Sequence, residues 1–133
     1  MSRYNRKNRR KYNLEVHIVL ATKYRKNIII SKIKDSLKAA VLEIVAKYNY
    51  NIIAMEADNN HIHLLIEHDT IVSVSDIIKT IKQNTTFYLW KLYFAELSIH
   101  YWKKHIFWSD GYFACSIGEV STKTIQQYID NQG

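Results

Sequence analysis

Apolar and polar residues alternate along Leu14 to Lys23, with Leu14, Val16, Ile18 and Leu20 on one face and Glu15, His17 and Lys23 among those on the other. That spacing predicts a half-buried strand. From Ser31 to Tyr48 the apolar positions are Ile33, Leu37, Val41, Ile44, Val45 and Tyr48, the spacing of one helix face. Tyr50 to Ala57 reads as a short strand and Asp58-Asn59-Asn60 as a turn of residues that tolerate unusual backbone angles. His61 to His68 returns as a strand, so the two strands form a hairpin. A second helix starts at Ser73, with Asp76 as its capping-box partner, and buries Val74, Ile77, Ile78, Ile81, Thr85, Tyr88, Leu89 and Leu92. It ends between Leu92 and Glu96. Ile99 to Ile117 is aromatic-rich and reads as mostly extended, with a turn at Ser109-Asp110-Gly111. Gly118 breaks that run, and Ser121 caps a final helix carrying Ile125, Tyr128, Ile129 and Gln132.

This order predicts an α+β fold, a ferredoxin-like or RRM-like antiparallel sheet with two helices on one face, followed by a C-terminal helix. Packing both helices on one side leaves the other side of the sheet open. Side chains alternate across a strand, so Ile62, Leu64 and Ile66 enter the core while His61 and His63 project together from the open face. His68, at the opposite parity, points away from them. His17 and Glu67 share the open face, where a role as polar sheet residues suits them better than ligation.

Composition narrows the class. A chain of 133 residues, 47% hydrophobic and 13% aromatic, suits one globular domain with one core. The expected organisation is a single domain over 1–133, with a basic arm over 1–12 and a tyrosine-bearing helix over 119–133. There is no proline and no low-complexity linker. A single cysteine, Cys115, excludes an internal disulfide and points to a reducing compartment. Met1 to Lys7 lacks the apolar core of a signal peptide, and no apolar stretch is long enough to span a bilayer. A soluble, cytoplasmic protein without a membrane partner is expected.

Charge points to a polyanion. Nineteen Lys and Arg face twelve Asp and Glu, a net charge of +7. Arg3, Arg6, Lys7, Arg9, Arg10 and Lys11 all precede the first acid, Glu15, and are interleaved with Tyr4 and Tyr12. Such an arm can neutralise phosphates and stack on bases, although an isolated basic run equally suits a solvated terminus. Lys23, Arg25, Lys26, Lys79, Lys82, Lys103 and Lys104 add to the excess and favour nucleic acid. His100 and His105 lie in the aromatic-basic block, where DNA contact and packing fit equally well.

Two imidazoles side by side on a strand make half of a metal site. Tyr128 and Gln132 are one helical turn apart on one face. A tyrosine hydroxyl is a weak nucleophile until a metal or base assists it, and a glutamine amide oxygen can be a third ligand to a divalent ion acting as Lewis acid. On spacing alone, a tyrosine on a short amphipathic helix is more often a packing residue.

The whole series of segments, in order, resembles the small single-tyrosine HUH transposases of IS200-like insertion sequences, in which U is a hydrophobic residue. Ala21-Thr22-Lys23-Tyr24-Arg25 resembles the end of that family's early strand, and Asn60-His61-Ile62-His63-Leu64-Leu65-Ile66 its His-U-His strand. Ser73 to Lys79 resembles the start of its second helix. Trp108-Ser109-Asp110-Gly111-Tyr112-Phe113 with Ser116-Ile117-Gly118 resembles its late aromatic block, and Val120-Ser121 with Ile125 to Gln132 its catalytic helix. Asn59-Asn60 stands where relatives have Pro-Asp, and Asp110 where they have proline; both are turn positions.

The resemblance implies a DNA transposase. In it His61 and His63 bind Mg2+ or Mn2+ with Gln132 completing the ligands, and Tyr128 attacks the scissile phosphate to leave a 5′-phosphotyrosine and a free 3′-OH. The link retains the phosphodiester energy, so rejoining needs no ATP. It further implies recognition of subterminal hairpins in single-stranded DNA, a prokaryotic, nucleoid-associated setting, and homodimers whose active sites are shared between subunits, with Gly118 as a hinge. A domesticated relative that cuts repeat hairpins fits the same residues. A non-catalytic single-stranded nucleic-acid-binding module fits the fold but gives no reason for His61, His63, Tyr128 and Gln132 to coexist. A histidine-triad hydrolase would need a third histidine where Leu65 stands.

Overall fold

A computed structural model describes residues 14–116. The basic arm, Ile117, Gly118 and the final helix with Tyr128 and Gln132 lie outside the described residues. Four strands and three helices follow in the order β1 (Leu14–Ala21), α1 (Ser31–Lys47), β2 (Asn51–Ala57), β3 (His61–His68), α2 (Val74–Leu92), α3 (Phe94–His100) and β4 (Phe113–Ser116). The sheet is antiparallel throughout, in the order β2-β3-β1-β4. This is the expected α+β, ferredoxin-like arrangement.

One core explains the arrangement. Val16, Ile18 and Leu20 of β1 and Ile62, Leu64 and Ile66 of β3 share a buried cluster with Ile33, Leu37 and Val41 of α1 and Ile77, Ile81 and Leu89 of α2. Both long helices therefore cover the same sheet face. Burying each large aliphatic side chain is worth roughly 1.5–3 kcal/mol. A one-residue slip of β3 would expose Ile62, Leu64 and Ile66, all fully buried, and drive imidazoles into the core. Register, and with it the direction of His61 and His63, is held by this difference. His68 is buried on the core side, as parity requires, with its Nδ1–H donating to the Asp69 carbonyl at 2.9 Å.

The helices start and stop where local chemistry dictates. Ser73 caps α2, its Oγ accepting from the Asp76 N–H at 3.0 Å. α1 ends before Tyr48, which is exposed and stacks on Tyr50 instead of completing the buried stripe. Asn49, at φ 62°, takes the left-handed position that closes a helix, and the Tyr50 N–H reaches back to the Val45 carbonyl. In α2, Tyr88 and Leu92 are exposed, whereas Trp90 is buried.

Two further expectations, on element boundaries, need correction. β1 stops at Ala21 rather than running to Lys23: the Thr22 hydroxyl donates to the Lys26 carbonyl at 2.8 Å and its N–H pairs with the Asn60 carbonyl, which turns the chain into a 3-10 segment over Lys23–Arg25. The stretch from Ile99 is not mostly extended. Ile99 and His100 close α3, whose Leu97 is fully buried, and only Phe113–Ser116 forms a strand, with Trp108 bridging to Thr22. No helix among the described residues is long and apolar enough to cross a membrane.

Candidate functional site

His61 and His63 emerge from the sheet face opposite the helices, both half-buried. β3 places His61 opposite Ala21 and His63 opposite Val19 of β1, and His63 opposite Glu56 of β2. The His61 Nδ1–H donates to Asn60 Oδ1 at 3.0 Å. That donation places the ring's lone pair on Nε2.

His63 is held from both sides. Its Nε2–H donates to Glu56 Oε1 at 3.2 Å, a carboxylate on the neighbouring strand that is largely in water. With Nε2 carrying the proton, Nδ1 is an acceptor, and it takes the His17 Nε2–H at 3.1 Å. The His17 and His63 ring centroids lie 5.2 Å apart. His17 pairs with Leu65 in the ladder, so it meets His63 along the diagonal. The chain His17, His63, Glu56 is thus a directed hydrogen-bond relay running from the sheet interior to solvent.

His17 Nδ1 ends that relay, buried, with no hydrogen-bond partner among the described residues. A buried polar atom left unpaired costs about 1–3 kcal/mol. Burial, and secondarily the proximity of His63, push the His17 pKa below its ordinary 6.5. His17 therefore stays neutral in the fold at a pH where the unfolded chain begins to take up a proton. Acidification below about pH 6.5 then favours the unfolded state. We expect the metal-free protein to lose denaturant resistance on going from about pH 7.5 to 5.5, and His17→Phe to lose less; equal losses in urea titrations of the two proteins would contradict this.

The donor set suits a divalent cation only in part. Two imidazoles on one face can supply two nitrogens, but no group of three or more His, Cys, Asp or Glu among the described residues could hold a metal ion. A third ligand must come from another residue type or from outside 14–116, where Gln132 lies.

The other candidates divide. Lys23 pairs with Asp110 at 3.3 Å, while Arg25 and Lys79 are exposed. Lys82 braces a turn instead of facing solvent: its ammonium donates to the carbonyls of Ser109, Gly111 and Asp110 at 2.8, 3.1 and 3.3 Å, and burial lowers its pKa. Glu67 accepts from Asn51 at 2.6 Å, in keeping with a structural role. His105 stacks on Trp90, ring centroids 4.1 Å apart. Arg3, Arg6, Lys7, Arg9, Arg10, Lys11, Tyr128 and Gln132 lie outside the described residues. Three partners of the histidines are not visible in the sequence: His17 shares their face without any sign of contact, Asn60 reads as a turn residue only, and Glu56 is one strand residue among others. A cavity of about 990 Å³, lined by Phe87, Trp90, Phe94 and His105 among others, includes none of the strand histidines.

Comparison with known proteins bears on this geometry. The family model described as "Transposase IS200 like" matches residues 10–132. The ISDra2 transposase TnpA of Deinococcus radiodurans is 27% identical over 121 residues, which span 91% of this chain and 85% of that protein. The transposase for insertion sequence element IS200 of Salmonella typhimurium is 29% identical over 122 residues, spanning 92% and 78%. Among solved structures, a Deinococcus radiodurans R1 protein described as a transposase superposes with a TM-score of 0.79 at 27% identity, over 90% of each chain. A REP-associated tyrosine transposase bound to a REP hairpin shares the fold, with a TM-score of 0.58 at 14% identity over 90% of this chain and 64% of its own.

Proposed function

The chain belongs to the IS200-like transposase family, and from that premise we propose that it cleaves and rejoins single-stranded DNA at insertion-sequence ends through a 5′-phosphotyrosine on Tyr128, recognising subterminal hairpins. The observation that carries this reading is the placement of His61 and His63 together on the sheet face that the helices leave uncovered.

In this reading His61, His63 and Gln132 hold Mg2+ or Mn2+, which when bound supplies Lewis acidity at the scissile phosphate and at the leaving 3′ oxygen. His61 already has its proton on Nδ1, toward Asn60, and offers Nε2. His63 offers Nε2 once the exposed Glu56 contact is released and the proton sits on Nδ1. That Nδ1 proton would come from His17 Nε2 across their 3.1 Å contact, the His63 Nε2 proton would leave to solvent beside Glu56, and His17 would regain one from solvent on Nδ1. His17 is accordingly a positioning residue: it fixes the ring plane of His63 and, in that tautomer, accepts the hydrogen bond of its Nδ1–H.

The Tyr128 hydroxyl attacks phosphorus in line. The tyrosine oxygen–phosphorus bond forms, the bond to the 3′ oxygen breaks, the phenol gives up its proton and the departing strand gains one as its 3′-OH. Rejoining is the reverse attack by a 3′-OH, with the phenol as leaving group, and needs no ATP. Homodimers in which the tyrosine helix of one subunit meets the histidine strand of the other complete the proposal.

The test uses a labelled single strand carrying a hairpin and a flank, with Mg2+ or Mn2+. The expected result is a protein–DNA adduct that survives denaturing electrophoresis and disappears with a chelator. A folded protein that forms no adduct on hairpin-bearing element ends with either ion would remove the assignment.

A further inference from the structure

Two large aromatic side chains, one just after β1 and one just after α3, stand in water, and the phosphotyrosine chemistry uses neither. Trp102 is 73% exposed, whereas Trp90 and Trp108 are 5% and 6% exposed. Tyr24 is 71% exposed. Each carries a lysine over its face: Lys103 Nζ is 5.0 Å from the Trp102 ring centroid, and Lys23 Nζ is 5.4 Å from that of Tyr24. A cavity of about 480 Å³ is lined by both aromatics together with Lys23, His100, Lys103 and Lys104.

The patch connects to the histidines. Tyr24 also lines a second cavity, of about 610 Å³, together with Arg25 and Asn60. Asn60 is the residue whose side chain holds His61 at 3.0 Å. Tyr24 thus borders both cavities, and Asn60 joins the second of them to His61.

Tyr24 is displayed on a stiff support. Tyr24 and Arg25 adopt left-handed φ values of 59° and 54°, a conformation unfavourable for residues other than glycine. Three contacts hold the turn: Thr22 Oγ1 donates to the Lys26 carbonyl at 2.8 Å, the Lys23 N–H to the Phe107 carbonyl at 2.9 Å, and the Tyr101 hydroxyl to the Lys23 carbonyl at 2.7 Å. A strained turn braced this way thus ends in an exposed aromatic ring.

We propose that Tyr24 and Trp102 are a stacking platform for unpaired nucleotides of the strand that leads to the scissile phosphate, with Lys103 and Lys104 meeting its phosphates. The proposal rests on the single-stranded DNA reading above. Flat aromatic faces alternating with ammonium groups match bases alternating with phosphates. The one acid in the cavity, Asp110, is already paired with Lys23, so the patch stays positive. A protein partner would have to desolvate several lysines, which protein interfaces tend to avoid. Stacking accepts any base, so this surface holds the strand without choosing the cleavage site.

The test measures affinity for three probes: a hairpin with a single-stranded flank, the same hairpin without it, and oligo(dT). Because Trp102 is the exposed tryptophan, its emission reports directly, and oligo(dT) is expected to quench it. Trp102→Ala should weaken binding of the flanked hairpin by roughly 5- to 100-fold while leaving the unflanked hairpin unchanged, and Trp102→Phe, which keeps a π face, should retain most of the affinity. Equal affinity of wild type and Trp102→Ala for the flanked hairpin would overturn the platform, as would equal losses on both hairpins. So would a change of oligomeric state in light scattering with unchanged flank affinity, which would assign the face to a second copy of the chain. Quenching and flank-specific loss without any covalent adduct in the preceding assay would keep the platform and reject the strand-transfer chemistry instead.

Discussion

Tyr128→Phe is expected to abolish the covalent adduct and to lower strand cleavage by at least about 10³-fold, the scale on which enzymes lose activity when a nucleophile is deleted. The substitution removes one oxygen and leaves the ring, so packing changes little. DNA binding, which in the proposal rests on the basic surface and on stacking and not on this hydroxyl, should persist. Gel shift under native conditions and adduct formation under denaturing conditions separate the two properties in one experiment. Residual cleavage near the wild-type rate would move the nucleophile to another residue. The same variant addresses how subunits share the reaction. A Tyr128→Phe protein retains the histidines, and a His61→Ala protein retains the tyrosine. If one subunit's tyrosine serves its partner's histidines, mixing the two after subunit exchange should restore some cleavage. No recovery from verified mixed dimers would place both halves of each site in one chain.

Much of this architecture is legible in local patterning. Period-two spacing at Ile62, Leu64 and Ile66 is enough to put His61 and His63 on one face and His68 on the other, because a sheet with one buried face cannot tolerate a slipped register. Ser73 announces the start of α2 through a contact only three residues away. What local pattern does not contain is register between distant strands. His17 and His63 are 46 residues apart, and their contact requires β1 to pair with β3 so that His17 lies opposite Leu65. Lys82 looks like any surface lysine until the 109–111 turn is folded against it. The short helix Phe94–His100 has no side-chain cap to announce it and lies in an aromatic run that resembles a strand. In each case the missing information is long-range packing.

The largest effect among the described residues should come from His61→Ala combined with His63→Ala. If both imidazoles hold the metal as proposed, their loss removes both ligands on β3, and metal-dependent cleavage should fall by at least about 10³-fold, since Lewis-acid stabilisation of phosphoryl chemistry is worth several kcal/mol. Folding should survive, because neither side chain belongs to the core cluster. His17 makes the prediction more discriminating. His17→Phe keeps the ring volume and removes a buried nitrogen that has no hydrogen-bond partner among the described residues, so stability at neutral pH should hold or rise. Yet His63 loses the group that fixes its ring and would accept the Nδ1–H hydrogen bond of its ligating tautomer, and Mn2+ affinity measured by calorimetry should drop by roughly 10- to 100-fold, the usual effect of deleting an outer-shell partner. His17→Gln, with an amide near the position of Nε2, should recover much of that loss. Nitrogen-15 spectra of the His63 ring provide the second readout. Metal should move the proton from Nε2 to Nδ1 in the wild type, and His17→Phe should alter the balance before any metal is added. If His17→Phe binds Mn2+ as tightly as the wild type with the His63 spectrum unchanged, the relay is only structural, and the two histidines of β3 act without it.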